Sequence, residues 1–417
     1  MMRWRWSRAK AAVLLLTALI GGAAGADAQQ FEQPEPRALK DIVPADIATG
    51  PHYRIDPTVL HDGYMHHYAV ESDYGPFSVT GDLALWKLLR EIAVVAALLE
   101  TKNSSVYVEG LKKATTAPLH FAKSLALHPV DTVTGVPRGT YQIMQNVAVG
   151  ATTTRDPSQD SRVKEAIKFS SWKRDYANRA GVDPYSSNKV LQKELNSVAW
   201  AATVGDWSVT AALLPVGGGA ATAVSSVRTS DSARNALKDY PPQRLRTIND
   251  DKLKAVGIPE ALRKQFLDHP HFTPTHDTKL AEALSGLGAR PGLDAFLQGA
   301  VTASDEVEAN FYVSVAQILR AYHDVTPIRT LRAVSRRLVV AQGGNGVAIV
   351  PLPVDHLLWT EQVDRVSGLL KAYNGSGYRG RIELWTTGSM SERAKQQLDQ
   401  RGIVPVERLG YRLAISE

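Results

Sequence analysis

The chain contains no cysteine among its 417 residues, and only 7% of them are aromatic. The missing thiols exclude disulfide bonds, thiolate metal ligands, a cysteine nucleophile and a lipid-modified cysteine. Stability must therefore come from packing, and the length is enough for two or three domains. Hydrophobic residues at 44% and charged residues at 22% are typical of a globular protein.

Complete catalytic motifs are also missing. The sequence has neither Gly-x-Ser-x-Gly nor His-Glu-x-x-His. Ser170 to Lys173 matches Ser-x-x-Lys and Ser186 to Asn188 matches Ser-x-Asn, but the Lys-Thr-Gly that penicillin-recognising enzymes also need is absent. The sequence therefore assigns no catalytic residue and no cofactor, and it favours a protein that is not an enzyme.

The chain opens with a basic segment and a short apolar run. Four basic residues precede residue 11, residues 11–24 carry no charge, and Ala26-Asp27-Ala28 offers small residues for cleavage. This pattern predicts a cleaved signal peptide over residues 1–28. An uncleaved anchor is the alternative, although the run is short for a span of about 20 residues. We expect an exported protein, periplasmic and with some contact with the membrane.

Removing the signal peptide changes the charge. Residues 1–28 carry four basic residues and one acid, a net charge of +3, so the whole-chain charge of +6 leaves +3 on the processed chain. A charge this small argues against a nucleic-acid partner. The oligomeric state is left open.

The hydrophobic periodicity predicts an α+β fold that is mostly helical. Alternating residues at 64–71 and 77–80 predict an N-terminal β-hairpin after an extended lead-in at 29–60, and a helix begins at Asp82. Residues 231–323 read as short helices separated by Pro and Gly, the last one capped by Ser304. The expected divisions are a signal peptide at 1–28, a hairpin-plus-helix region with a basic segment at 29–155, a helical domain at 156–325 and a small α/β domain at 326–417.

The C-terminal part alternates between strand and helix patterns. Two strands flank the glycine-rich turn at 343–346, and helices are predicted at 355–373 and 390–401, with Ser389 and Glu392 at capping-box spacing. Strands are predicted at 382–386 and 403–407. The order predicts a small βαβαβ unit with a parallel or mixed sheet.

An uncharged stretch of 21 residues occupies positions 207–227. Pro215 and the glycines at 217–219 interrupt its centre, and freed backbone groups are costly in lipid. The stretch is therefore predicted to form a glycine-rich helical hairpin buried in the protein, and insertion into a membrane is the alternative.

A basic segment covers residues 110–155. Its five basic residues face a single acid, Asp131, so its net charge is +4. Short basic amphipathic pieces can lie on an anionic membrane surface or on a partner protein, and a solvated basic face is the alternative. The candidate contact residues are Lys112, Lys113, Lys123 and Arg138.

Two clusters contain histidine and aspartate. The first holds His61, Asp62, His66 and His67, and the second holds His269, His271, His276 and Asp277. These residue types suit zinc or copper, but neither cluster has metal-binding helical spacing. Neighbouring His66 and His67 would face opposite sides of a strand. No metal site is therefore predicted.

The carboxyl ends of the C-terminal strands offer a candidate cleft, because ligands of open α/β sheets bind there. Residues 386–389 follow a predicted strand and are expected to open a helix, whose N–H groups and dipole could hold an anion. The candidate ligand-binding residues are Asp355, His356, Thr386, Thr387 and Ser389.

Three segments carry a family resemblance. Residues 180–188, 266–275 and 309–312 resemble segments of uncharacterised exported bacterial proteins, and the likeness extends across much of residues 60–410. The resemblance implies an envelope location and brings no activity, ligand or catalytic residue.

These observations favour a non-enzymatic envelope protein that contacts a membrane surface or another envelope component. The alternative is an enzyme or small-molecule binder that uses the C-terminal cleft. An effector released to other cells is a third possibility.

Overall fold

The structure is a computed structural model that describes residues 31–102, 157–205, 231–375, 378 and 380–409. Within these ranges the protein is a mostly helical α+β fold, as the sequence predicts. None of the helices there is long and apolar enough to cross a membrane. Three predicted features lie outside the described residues: the signal peptide, the basic surface of Lys112, Lys113, Lys123 and Arg138, and the hairpin at 207–227.

The N-terminal part is a small antiparallel sheet. Its strands are β1 (Arg37–Ala38), β2 (Thr49–Gly50), β3 (Tyr53–Ile55), β4 (Thr58–His61), β5 (His66–Ser72) and β6 (Phe77–Thr80). The order is β1-β4-β5-β3-β2, and β6 pairs with β5 as the predicted hairpin. The predicted extended lead-in instead contains β1 to β4, which are too short for an alternating pattern to show.

Helix α1 (Asp82–Lys102) packs against this sheet. Leu85, Leu89 and Ile92 lie on one stripe of the helix and pack with Tyr68 and Val70 from β5. A hairpin alone is marginally stable in water, so burial of this stripe stabilises both elements.

Helices form the middle of the described chain. They are α2 (Pro157–Ala180), α3 (Lys189–Gly205), α4 (Asp231–Asp239), α5 (Pro242–Ala255), α6 (Glu260–Leu267), α7 (Pro274–Leu287), α8 (Leu293–Ala300) and α9 (Glu306–Val325). The N-cap of α9 is Asp305, which accepts the N–H of Glu308, and not the predicted Ser304. Val307 in the first turn of α9 is 43% exposed, although its helical spacing with the buried Val315 and Ile318 predicts that it is buried.

The C-terminal part contains the predicted βαβαβ unit. Its elements are β7 (Ile328–Ser335), β8 (Leu338–Gly343), β9 (Val347–Leu352), β10 (His356–Leu357), α10 (Glu361–Gly375), β11 (Arg381–Thr386), β12 (Ser389–Met390), α11 (Glu392–Asp399) and β13 (Ile403–Val406). The main sheet has the order β13-β11-β9-β8-β7, in which β9, β11 and β13 are parallel. One hydrophobic core joins β7, β8 and β9 to helices α5 to α9.

Two predicted helix starts are wrong. Helix α10 begins at Glu361 and not at residue 355, because residues 356–357 pair with 389–390 in a parallel bridge. The same bridge keeps Ser389 out of helix α11. The N-cap of α11 is Ser391, whose hydroxyl accepts the N–H of Ala394, so the capping box predicted for Ser389 and Glu392 does not form.

Candidate functional site

The turn between β4 and β5 packs directly against the segment that follows β9. The carbonyl of Tyr64 accepts the N–H groups of Asp355 at 3.0 Å and His356 at 3.1 Å, and Gly63 accepts that of Leu358 at 3.0 Å. These backbone bonds bring histidines of the N-terminal sheet beside residues almost 300 positions later in the chain.

Three side chains meet at this contact and form the His66–Asp82–Asp355 cluster. The Nδ1 atom of His66 lies 2.8 Å from Oδ1 of Asp82 and 3.9 Å from Oδ2 of Asp355. One ligand atom from each residue lies within 4.8 Å of the others. The side chains of His66 and Asp355 are 3% and 9% exposed, and that of Asp82 is 38% exposed, so solvent reaches the cluster from the Asp82 side.

Neighbouring donors orient both carboxylates. Asp355 accepts the backbone N–H of His66 at Oδ2 (2.9 Å) and that of Asp82 at Oδ1 (3.1 Å), while Tyr68 donates its hydroxyl to Asp82 (2.6 Å). Burial, followed by the charge of Asp82, raises the pKa of Asp355 to about 7. The cluster therefore holds two carboxylates close together in a partly dry site.

Two further histidines lie beside the cluster. His61 Nδ1 accepts the N–H of Gly63, which leaves Nε2 to donate to the carbonyl of His356 at 3.0 Å. His356 Nδ1 lies 2.7 Å from the hydroxyl of Ser389. Burial is the main cause that lowers the pKa of both imidazoles, that of His356 to about 4, so both are neutral at neutral pH.

The structure brings together only part of the predicted C-terminal site. Asp355, His356 and Ser389 are neighbours, as the parallel bridge requires. Thr386 is fully buried and donates to the carbonyl of Gly388, and Thr387 donates to that of Val354. The predicted helix N-terminus at Ser389 is wrong, so residues 386–389 do not form the expected anion cradle.

Sequence reasoning missed the partners of Asp355. His66 lies 289 positions before it and Asp82 lies 273 positions before it. In the first histidine cluster, the alternation of strand residues indicated which imidazole is buried. His66 is buried, while His67 faces outwards with Asp62 and Thr80. That alternation was predicted, but the partners of the inward imidazole could not be.

A second site is a central cleft of about 1950 Å³. It is bordered by α1, by the loop after α2 and by the first turns of α7 and α9, and Asp355 lies at its edge. The charged residues that line it near α1 and α7 are Lys87, Glu91, Asp183, His276, Lys279 and Glu306.

The carboxylates in the cleft have polar partners. Glu91 binds Ser186 through Oε1 at 2.6 Å and Asn188 through Oε2 at 2.9 Å. Oδ1 of Asp183 accepts the hydroxyl of Thr275 at 2.6 Å and the N–H of Tyr185 at 2.9 Å. Both oxygens of Glu91 and one oxygen of Asp183 are thus engaged by the protein itself.

Lys279 differs from these carboxylates. Among the residues that the structure describes, its ammonium group forms no hydrogen bond or ion pair. Burial is the main cause that lowers its pKa; the negative charge of Asp183 opposes this shift, and a smaller repulsion from Lys87 adds to it. Lys279 is half-buried, and an ammonium without a bonded partner in such a place gains from a nearby anion.

The second histidine cluster does not assemble into a metal site in the described part of the chain. His276 instead completes a capping box at the start of α7, in which Nδ1 accepts the N–H of Thr273 while Thr273 accepts the N–H of His276. Burial lowers the pKa of His276 to about 4, against the opposing charges of Asp183 and Glu306.

We expect His276 to make stability depend on pH. Its folded pKa lies below the unfolded value of about 6.5, so the unfolded state takes up the proton first. The stability it supports is present above pH 6.5 and is lost as the pH falls towards 4, by up to about 3 kcal/mol. His276→Gln keeps a capping-box acceptor without titrating. Urea unfolding of both proteins between pH 7 and 4 should show the wild type losing more stability, and parallel curves would contradict this.

Comparison of the chain with protein-family models, curated proteins and solved structures finds no match. The fold and the two sites therefore define the protein in physical terms: an α+β protein with a histidine–aspartate cluster beside a large cleft that is lined by both charged and apolar residues.

Proposed function

We propose that the protein is exported to the bacterial envelope and acts by binding an anionic ligand in the central cleft. The observation that carries this proposal is Lys279, a half-buried ammonium group that lines the cleft and forms no hydrogen bond or ion pair within the described residues. The signal-peptide pattern at residues 1–28 supports export.

The charge balance of the cleft favours an anion over a cation. Glu91 and Asp183 are engaged by hydroxyl, amide and backbone donors, so a bound cation would have to compete with these partners. Lys87 lies 3.9 Å from Glu91 and keeps 39% of its side chain exposed, so it can supply a second positive charge. A carboxylate or phosphate near Lys279 would gain charge-assisted hydrogen bonds in a partly desolvated place.

The size of the cleft favours an elongated ligand. Small-molecule sites are commonly about 300–1,000 Å³, and this cleft of about 1950 Å³ is larger. Phe311 and Trp86 line it alongside the charged residues and offer apolar surface. A peptide with a free carboxylate, or a partner segment of the same chemistry, satisfies both properties.

Binding should be measured by calorimetry with three probes: inorganic phosphate, succinate and the carboxylate-terminated peptide Ala-Ala-Ala-Ala. We expect the peptide to bind most tightly, and Lys279→Met to weaken that binding at least tenfold. Lys371→Met is the matched control, because Lys371 is exposed on α10. Tighter binding of phosphate would move the assignment to a phosphate-bearing ligand. Unchanged affinity in Lys279→Met, or no binding of any probe, would contradict the proposal.

A second candidate function uses Ser389 as a nucleophile. Its hydroxyl lies 2.7 Å from Nδ1 of His356, within the reach that a serine–histidine pair needs. The two residues are also direct neighbours across the β10–β12 bridge, which explains their contact without catalysis. Covalent labelling by a fluorophosphonate probe, lost in Ser389→Ala, would support an enzyme.

The basic residues Lys112, Lys113, Lys123 and Arg138 stay a sequence prediction of a membrane or partner surface. Flotation of the purified protein with anionic vesicles tests it: the protein should rise with vesicles rich in phosphatidylglycerol at low salt and stay down in high salt.

A further inference from the structure

We infer that His66, Asp82 and Asp355 form a binding site for a divalent transition metal, with zinc as the best-fitting ion. This site is separate from the anion proposed for the cleft and does not depend on it. Three elements that are distant in the chain supply the ligand atoms: β5, the start of α1 and the segment after β9.

The distances fit a tetrahedral ion. Ligand atoms about 2.1 Å from zinc and at tetrahedral angles are about 3.4 Å apart. The two distances from His66 Nδ1, 2.8 Å to Asp82 and 3.9 Å to Asp355, lie on either side of this value. Small side-chain movements would therefore bring all three atoms into the first coordination sphere.

The ligand chemistry selects among the common cations. An imidazole nitrogen favours zinc and its transition-metal neighbours over magnesium and calcium, while carboxylate oxygens are accepted by all of them. Three protein ligands leave a fourth tetrahedral position free. The exposed side of Asp82 provides a route for the ion and for a water molecule in that position.

Groups around the cluster already orient the ligands as in a metal site. Tyr68 fixes the Asp82 carboxylate, and two backbone N–H groups fix Asp355. Each oxygen of Asp355 keeps a second lone pair for the ion, and the lone pair of Asp82 Oδ1 that now faces His66 Nδ1 becomes free when the ion replaces the proton between them. Gly81 lies next to the cluster and has a φ of +101°, which favours glycine. An added Cβ would lie 2.9 Å from the Met65 side chain, so only glycine leaves room for this packing.

Arg37 disfavours metal binding at His66. Its Nη1 lies 3.4 Å from Nε2 of His66, which suits an imidazole that keeps its proton on Nδ1 and donates to Asp82. Zinc on Nδ1 takes the place of that proton and leaves a hydrogen on Nε2, which then faces another donor. Replacing Arg37 by an acceptor should therefore strengthen metal binding.

The test is calorimetric titration of the full-length, chelator-stripped protein with zinc, manganese and magnesium, with metal content measured after dialysis. We expect one zinc per chain and weaker binding of manganese and magnesium. Asp82→Asn, the mildest ligand change because Asp82 is the most exposed of the three, should weaken zinc binding at least a hundredfold. Arg37→Gln should tighten it about tenfold, a typical effect of a residue behind the ligands.

The matched control lies in the turn before the same strand. His67 and Asp62 form another histidine–aspartate contact at 3.0 Å, but it is exposed and faces away from the cluster. Asp62→Asn should leave the zinc affinity within twofold of the wild-type value. Lys279→Met should do the same, which would show that zinc binding does not depend on the anion site in the cleft. Circular dichroism checks that each variant is folded. Absence of stoichiometric zinc in the wild type, or unchanged affinity in folded Asp82→Asn, would overturn the assignment.

Discussion

Replacing Gly292 by alanine should lower the free energy of unfolding by about 4 kcal/mol. Gly292 is the N-cap of α8 and has φ +90° and ψ 2°, a left-handed conformation that costs an L residue about 1–2 kcal/mol. An added Cβ would lie 1.9 Å from the carbonyl oxygen of Leu331 in β7. Relieving that overlap must separate α8 from β7, and overpacking typically costs a further 1–3 kcal/mol.

Two other glycine variants separate the two causes. Gly257→Ala has nearly the same φ of +87° but no atom within 4 Å, so it should cost only about 1–2 kcal/mol. Gly368→Ala lies within α10 in open space, without a positive φ, and should stabilise the protein by about 0.5–1 kcal/mol. Urea unfolding followed by circular dichroism measures all three. Equal losses for Gly292→Ala and Gly257→Ala would contradict the predicted steric contact with β7.

The second large effect is expected for Trp359→Ala, which should cost about 3–5 kcal/mol. Trp359 is 1% exposed and is among the largest fully buried side chains of the described residues. It belongs to the core between the C-terminal sheet and α10, and the guanidinium of Arg401 lies 4.6 Å from its ring centre. Removing the indole ring therefore removes buried apolar surface and leaves a cavity. The guanidinium of Arg401 also loses its aromatic partner.

Trp359 also joins the N-terminal residues to this core. Its N–H donates to the Glu32 carboxylate at 2.6 Å, and its carbonyl accepts the N–H of Glu32 at 2.8 Å. Both bonds use the main chain of residue 359 and survive in Trp359→Ala, so the loss of stability in this variant reports the ring itself. Trp359→Phe keeps a ring under Arg401 and should recover most of the stability. A cost below 1 kcal/mol for Trp359→Ala would show that the ring is not packed as described.

The zinc and anion proposals predict independent results because only one of the three zinc ligands, Asp355, lines the cleft, and Lys279 is not part of the zinc cluster. Asp82→Asn should weaken zinc binding at least a hundredfold without changing the affinity for an anion. Lys279→Met should weaken anion binding at least tenfold without changing the affinity for zinc. Loss of both zinc binding and anion binding in a single folded variant would indicate instead that the cleft and the cluster are one site. Asp355, which lines the cleft, would join them.

Local patterns were enough to predict the main elements. The β5–β6 hairpin, α1 and the alternation of strands and helices after residue 327 follow from apolar spacing of two or of about 3.6 residues. The same reasoning failed where elements are very short or paired at long range. Strands β1 to β4 are two to four residues long, and the bridge between β10 and β12 delays the start of both neighbouring helices.

The sequence by itself determined the absence of disulfides and the mostly helical α+β class. It also indicated three residues that lie together in the C-terminal part of the fold: Asp355, His356 and Ser389. Only the tertiary structure decided what surrounds them. The turn before β5 places its carbonyls against the segment at 355–358, and this contact brings His66 and Asp82 to Asp355 across almost 300 residues. Periodicity records which face of an element is buried, but it carries no information about which distant face lies opposite. The candidate metal cluster is therefore a property of docking between two sheets.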